Sequence, residues 1–210
     1  MTCTRKTPAL PGLLLAAGLS RRMGDINKLL LPVDGTAMVR RTADTLLSAG
    51  VSPLIAVTGP GAGDIRAALS GLAVTFAVNA DPENGMAGSI RAGLRQLASA
   101  TGTNDATHVL IALADMPYVR AATIGTLIAV AYRHTDQGII VPSYGNRRGN
   151  PVLWHRRYFS KLAALEGDRG GRSLMTDHAD QVLMKDCNDP GIHMDVDTAA
   201  DATRLGLIRT

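Results

Sequence analysis

Gly12-Leu13-Leu14-Leu15-Ala16-Ala17-Gly18-Leu19-Ser20-Arg21-Arg22-Met23-Gly24-Asp25-Ile26-Asn27-Lys28 is the stretch that decides the fold. Its apolar part, residues 12–17, is too short for an ordinary helix and suits a strand buried in a parallel sheet. A loop follows, from Gly18 to about Pro32, past the carboxyl end of that strand, where open α/β sheets bind ligands. The apolar run has a superficial likeness to a signal peptide, but it ends in Gly18-Leu19-Ser20-Arg21-Arg22 and reads as a strand entering a phosphate loop. Gly18 and Gly24 permit positive φ and close backbone approach. Exposed amides in such a loop cradle phosphate oxygens. Arg22 adds a forked cation and Lys28 a point charge. The spacing is neither GxxxxGK[ST] nor GxGxxG: Gly24 lies six residues after Gly18 and is followed by Asp25, and Leu19-Ser20 follow Gly18. On spacing alone, an ordinary βα turn with solvated arginines fits as well.

Working outward, residues 36–49 place Met38, Val39, Ala43, Leu46 and Leu47 on one helical face, with Gly50 as the stop. Strands are predicted over 53–58 and 73–78, with a short helix over 63–70 between them. Asn79 opens a Pro/Gly/Asn-rich loop that feeds a helix over 87–99. His108-Val109-Leu110-Ile111-Ala112-Leu113-Ala114-Asp115 reads as a central strand, followed by a helix over 121–133. Strands over 138–143 and 151–156 flank a polar loop too short for a crossover, so they are expected to be antiparallel. Helices near 158–165 and 172–178, a strand over 181–186 and a helix from Thr198 complete the chain. Alternating strands and helices predict an α/β fold with three α/β/α layers and a mostly parallel mixed sheet. Residues 1–11 read as a polar leader and 12–210 as a single domain.

Composition narrows the function. Apolar residues make up 46% but aromatics only 3%, so the core rests on aliphatic side chains. The formal net charge is +4, with Arg5, Lys6, Arg21, Arg22, Lys28, Arg40 and Arg41 early in the chain. Interrupted cations with few aromatics favour a small polyanion such as a triphosphate over nucleic acid. No stretch approaches 18 continuous apolar residues, so no membrane span is predicted and a cytoplasmic setting is expected. Cys3 and Cys187 form no CxxC pair; reduced thiols are favoured, with one bridge between them left open. The five histidines make no HExxH cluster, so zinc is not expected.

Three further segments have both a plain and a functional reading. Ser89 lies near the start of a helix whose N-terminus favours an anion, or it belongs to a capping turn. Asp115 ends the central strand and points into the ligand crevice, where a carboxylate suits Mg²⁺, or it caps the next helix. Thr198 and Asp201 fit a capping box just after Asp195-Val196-Asp197.

The pattern LAAG-x-S-x-RMG-x-x-x-K over residues 15–28 resembles the nucleotide-binding signature of MobA-like nucleotidyltransferases, with the closest likeness to molybdenum cofactor cytidylyltransferases. The blocks Asn79…Gly85-Met86…Ser89-Ile90…Gly93-Leu94, Leu113-Ala114-Asp115-Met116-Pro117, Gly149-Asn150-Pro151-Val152, Gly167-Asp168-Arg169-Gly170-Gly171-Arg172 and Asp195-Val196-Asp197-Thr198 match in order, over about residues 12–206. The resemblance implies a Rossmann-like nucleotidyltransferase fold. It implies that Leu15, Ala16, Ala17 and Gly18 with Arg22 and Lys28 hold the triphosphate, and that Asn79, Gly85 and Ser89 sit near base or ribose. It implies Arg22, Lys28 and Asp115 as catalytic residues and Asp115 and Asp197 as Mg²⁺ ligands. Asn150, Pro151, Asp168 and Arg172 fall on the acceptor side, where Arg147 and Arg148 also supply charge. Asn150 stands where His is commoner, and Ala199-Ala200 where the family has Pro-Glu.

The implied partners are a nucleoside triphosphate, a phosphorylated pterin acceptor and a recipient molybdoenzyme. Ala17 before Gly18 favours CTP over GTP. The alternatives are a guanylyltransferase, a transferase for another phosphorylated acceptor, a non-catalytic cofactor carrier, and an oxidoreductase, against which the missing GxGxxG counts.

Overall fold

The computed structural model describes residues 10–18, 20, 23, 26–100, 106–167 and 170–208. The predicted Arg22 and Asp168, with Cys3 and the early Arg5, Lys6 and Arg21, lie outside the described residues.

The first strand, β1 (Leu10–Ala16), is buried at every position, as the continuous apolar run requires. It starts at Leu10, two residues earlier than predicted, so Leu10 and Pro11 belong to the sheet and not to the leader. A two-residue ribbon, β2 (Pro32–Val33) with β3 (Thr36–Ala37), leads into α1 (Met38–Ser48). Met38, Val39, Thr42, Ala43 and Leu46 form its buried face, and Gly50 follows at φ 90°, a conformation that favours glycine. Then come β4 (Val51–Thr58), α2 (Gly63–Ala68), β5 (Val74–Val78), α3 (Gly85–Ser99), β6 (His108–Leu113) and α4 (Ala121–Arg133). The last third holds β7 (Ile139–Tyr144), β8 (Arg147–Arg148), β9 (Val152–His155), α5 (Phe159–Ala163), α6 (Arg172–Asp177), β10 (Val182–Asp186) and α7 (Ala199–Arg204).

The main sheet runs β10-β7-β9-β6-β1-β4-β5, with β8 paired to β7. β1 pairs in parallel with β4 and β6, β4 with β5, and β10 with β7. β9 is antiparallel to both β6 and β7, as the short loop requires. Side chains alternate across β1: Leu14 and Ala16 face one core with α1, α2, α4 and α7, while Leu13 and Leu15 face the other with α3 and α5. The expected three layers and mostly parallel mixed sheet are present. Among the described residues, no helix is long and apolar enough to cross a membrane.

At the amino end of β6, His108 is 1% exposed, with Nε2 2.8 Å from the Gln137 carbonyl oxygen and Nδ1 3.0 Å from Thr107 Oγ1. The carbonyl can only accept, which assigns the proton to Nε2 in the neutral ring. Burial lowers the His108 pKa, and the neighbouring charges of His155 and Arg157 push the same way against the Gln137 bond. The unfolded chain therefore binds this proton more readily than the folded one. The stabilisation is complete above about pH 6.5 and is lost as pH falls through the lower folded pKa. Thermal midpoints followed from pH 7.5 down to 5 are expected to fall less steeply in His108→Gln than in the wild type.

Candidate active site

Strand order reverses between β1 and β6: the chain builds outward from β1 through β4 to β5, then returns to the other side of β1 with β6. The carboxyl ends at such a reversal open a crevice. Here a cleft of about 1120 Å³ lies at that edge, on the side of the sheet faced by Leu15, Ile111 and α3.

Three charged side chains meet in it. Lys28 Nζ is 2.6 Å from Asp115 Oδ2 and 2.8 Å from Asp197 Oδ1. Each is delivered by a different piece of chain. Lys28 opens a 3₁₀ turn whose entry is capped by Asn27, with Oδ1 accepting the Leu29 N–H at 3.1 Å, and its own N–H donates to Ser20 Oγ at 3.3 Å. Asp115 follows β6 directly, where Ala114 N–H donates to the Leu15 carbonyl at 3.1 Å and α1 braces the turn through Thr42 Oγ1 and Arg41 Nε. Asp197 arrives from the far end of the chain, held beside β6 by Val196 N–H donating to the Asp115 carbonyl at 3.1 Å.

Among the described residues, the balance of charge at this point is negative. Burial raises the Asp115 carboxyl pKa; Lys28 opposes the rise without cancelling it, and Asp197 and Asp195 add to it. Burial alone would lower the Lys28 pKa, but the charges and hydrogen bonds of Asp115 and Asp197 outweigh it and leave it raised. Among the described residues, the Lys28 ammonium thus lies against two carboxylates, and Asp195 adds its charge near Asp115. Asp115 Oδ1 is also a buried oxygen with no hydrogen-bond partner among the described residues. A spare buried carboxylate oxygen, excess negative charge and an all-oxygen donor set fit Mg²⁺ or Mn²⁺. Among the described residues no cluster of three His, Cys, Asp or Glu could hold a metal by itself. A cation on Asp115 and Asp197 would therefore take its other ligands from water and phosphate, as Mg²⁺ commonly does.

The predicted residues divide. Leu15, Ala17, Gly18, Gly85, Ser89, Asn150 and Arg172 line the cleft. Among the described residues, leaving aside its chain neighbours, no atom lies within 4 Å of where a Cβ on Gly18 would stand. The alternation of β1 turns the Ala16 side chain into the opposite core, so only its backbone can face the cleft. Pro151 lines a small cavity with Thr42, Leu46 and Ala112, next to Asn150, and is not among the residues lining the cleft. Asn79 supports Ser89. It is buried behind Ser89, donates from Nδ2 to Ser89 Oγ at 3.1 Å, and accepts the Asp81 N–H on Oδ1 at 3.2 Å. Asn79→Ala is expected to cost about 1–3 kcal/mol of stability, read in urea unfolding, because the buried Ser89 hydroxyl loses its donor.

The capping box read in the C-terminal turn is present. Thr198 and Asp201 form the capping box, and that box aims Asp197 at the cleft. Asp115 caps nothing: α4 starts at Ala121 with Arg120 as its N-cap residue. The sequence reading missed Asp195, Glu83, Met86 and Trp154, which also line the cleft. Asp195 had a signal, since it lies two residues before Asp197. Trp154 read only as a strand residue.

The chain matches the MobA-like NTP transferase domain over residues 12–182. It belongs to that family. This MobA-like nucleotidyltransferase is 30% identical over 208 residues to the nicotine blue oxidoreductase of Paenarthrobacter nicotinovorans, covering 94% of this chain and 97% of the relative. It is 32% identical over 123 residues to a probable molybdenum cofactor guanylyltransferase of Natronomonas pharaonis, covering 59% of this chain and 57% of the relative. Among solved structures it is similar to Rv0371c of Mycobacterium tuberculosis in complex with manganese, with 32% identity, a TM-score of 0.72, and coverage of 94% of this chain and 97% of that one.

Proposed function

We propose that this enzyme transfers the CMP group of CTP to the phosphate of a molybdopterin-type acceptor, releasing pyrophosphate, in the cytoplasm and for later use by a molybdoenzyme. The observation that carries the reading is the Lys28 ammonium held between Asp115 and Asp197 at the reversal point of the sheet. The cleft, about 1120 Å³, exceeds the roughly 300–1,000 Å³ of a single small-molecule site, which leaves room for two substrates. Ala17 before Gly18 supports cytidine, as in the LAAG form of the signature.

In the reaction, an oxygen of the acceptor phosphate attacks the α-phosphorus in line. The new O–P bond forms as the bond to the bridging oxygen of the β-phosphate breaks, and pyrophosphate leaves with that electron pair. The attacking oxygen is already anionic near neutral pH, so no general base is required. Gly18 and its neighbouring amides receive phosphate oxygens, and Lys28, with Arg22, offsets charge that builds on the transferring phosphate. Ser89 and Gly85 sit on the base or ribose side, and Asn150 and Arg172 on the acceptor side. Asp115 and Asp197 are the residues that would hold Mg²⁺, which when bound reduces repulsion between the two anionic reactants. Positioning supplies much of the rest.

Pyrophosphate release with CTP, GTP, ATP and UTP against phosphorylated pterin acceptors tests the reading. CTP is expected to be fastest. A preference for GTP would move the enzyme to the guanylyl reading, which the name of the N. pharaonis relative favours. No release with any triphosphate would overturn the proposal. A second reading comes from the relative covered almost end to end, which is named an oxidoreductase. Nicotinamide or flavin binding with no pyrophosphate release would favour it.

A further inference from the structure

Asp189 lies outside the cleft, and no role above uses it. It is 1% exposed, and its oxygens are surrounded by donors. Oδ2 accepts the Arg120 N–H at 2.9 Å and the Thr123 hydroxyl at 2.6 Å. Oδ1 accepts the Gly191 N–H at 2.9 Å, with Arg120 Nε 3.7 Å away. A buried carboxylate is costly unless it is paired in this way. It also places a negative charge at the N-terminus of the 13-residue α4, where the backbone amides are unpaired.

The segment it holds has little structure of its own. Between β10 and α7, only a 3₁₀ turn over Pro190–His193 is regular. Its place therefore depends on tertiary bonds, and two of these run straight to the site. Asn150 N–H donates to the Ile192 carbonyl at 3.2 Å, and Val196 N–H donates to the Asp115 carbonyl at 3.1 Å. Asp201 fixes the far end, with Oδ2 accepting from the amides of Asp197 and Thr198 at 3.3 and 3.0 Å. Asp197 sits on a strap pinned by one carboxylate at each end.

We infer that Asp189 is a positioning residue: by tying the strap to the first turn of α4, it sets where Asp197 stands relative to Asp115, and so sets the affinity for a divalent cation. The inference rests on the reading of Asp115 and Asp197 as the cation holders. Outer partners that orient metal ligands typically change affinity by about 10- to 100-fold when lost.

The test is Mn²⁺ binding to the full chain without nucleotide, followed by the electron paramagnetic resonance of free Mn²⁺. Asp189→Asn keeps the volume but turns one acceptor oxygen into a donor that faces donors. It is expected to weaken Mn²⁺ binding about 10-fold or more. Thr123→Val removes one bond to Asp189 and is expected to shift affinity the same way by less, and Thr123→Ser, which keeps the hydroxyl, to restore it. The Thr123 pair decides the matter if Asp189→Asn does not fold. Wild-type affinity in folded Asp189→Asn or in Thr123→Val would overturn the inference while leaving the cation reading intact. Wild-type protein with no Mn²⁺ binding that Asp115→Asn abolishes would instead overturn the cation reading, and this inference with it.

Discussion

Lys28→Ala is expected to lower kcat by about 10²- to 10³-fold while tightening Mn²⁺ binding. The first effect follows from removing a fixed cation at the point where charge builds on the transferring phosphate; single electrostatic donors in other enzymes are worth about that much. The second follows from the present geometry. The ammonium lies 2.6 Å from Asp115 and 2.8 Å from Asp197, so it already occupies oxygens that a divalent cation would use. Without it, one positive charge fewer competes for the Asp115 and Asp197 oxygens, and a divalent cation there meets less repulsion. Because its pKa is raised by these two neighbours despite burial, Lys28 stays charged across the neutral range, and its titration should leave no limb in the activity profile below about pH 10. Single-turnover rates and Mn²⁺ titration of the same variant check both halves. Full turnover in Lys28→Ala would remove the lysine from the chemistry.

Gly191→Ala is expected to lower stability by about 3 kcal/mol, which corresponds to roughly 6–12 °C in Tm for a chain of this size. A Cβ at residue 191 would run into the carbonyl of Tyr118 and stand 2.9 Å from the Val119 nitrogen. Both are backbone atoms in the turn between β6 and α4, so neither can swing aside as a flexible side chain would. The strap would have to lift from α4, and its bonds through Ile192 and Val196 would stretch with it. Thermal unfolding measures the loss. A midpoint within 1 °C of the wild type would show that the strap does not pack against this turn.

The elements differ in how readable they were. Residues 121–133 were predicted as a helix and are one, because a helical period sustained over 13 residues admits few alternatives. The start of β1 was misplaced, because Pro11 reads as a breaker although a strand can carry it. An asparagine in such a loop looks the same in sequence whether it touches a ligand or supports a neighbouring serine, and only the packing shows the bonds of Asn79 to Ser89 and to the Asp81 amide. Asp189 carried no signal. An aspartate before a proline reads as a turn, and only the packing of α4 against that turn shows what it accepts.

By itself, the sequence determined the alternation of strands and helices, the buried first strand, and the glycine loop with its lysine beyond it. These are local matters, set by period, chain length and backbone freedom over a few neighbouring residues. Only the tertiary structure decided that Lys28, Asp115 and Asp197, separated by 87 and 169 positions from the lysine, share one point, and which of their neighbours hold them there. Charges meet across such separations only when strand order and loop packing bring them together. Those depend on the burial of the whole sheet and not on any window of the chain.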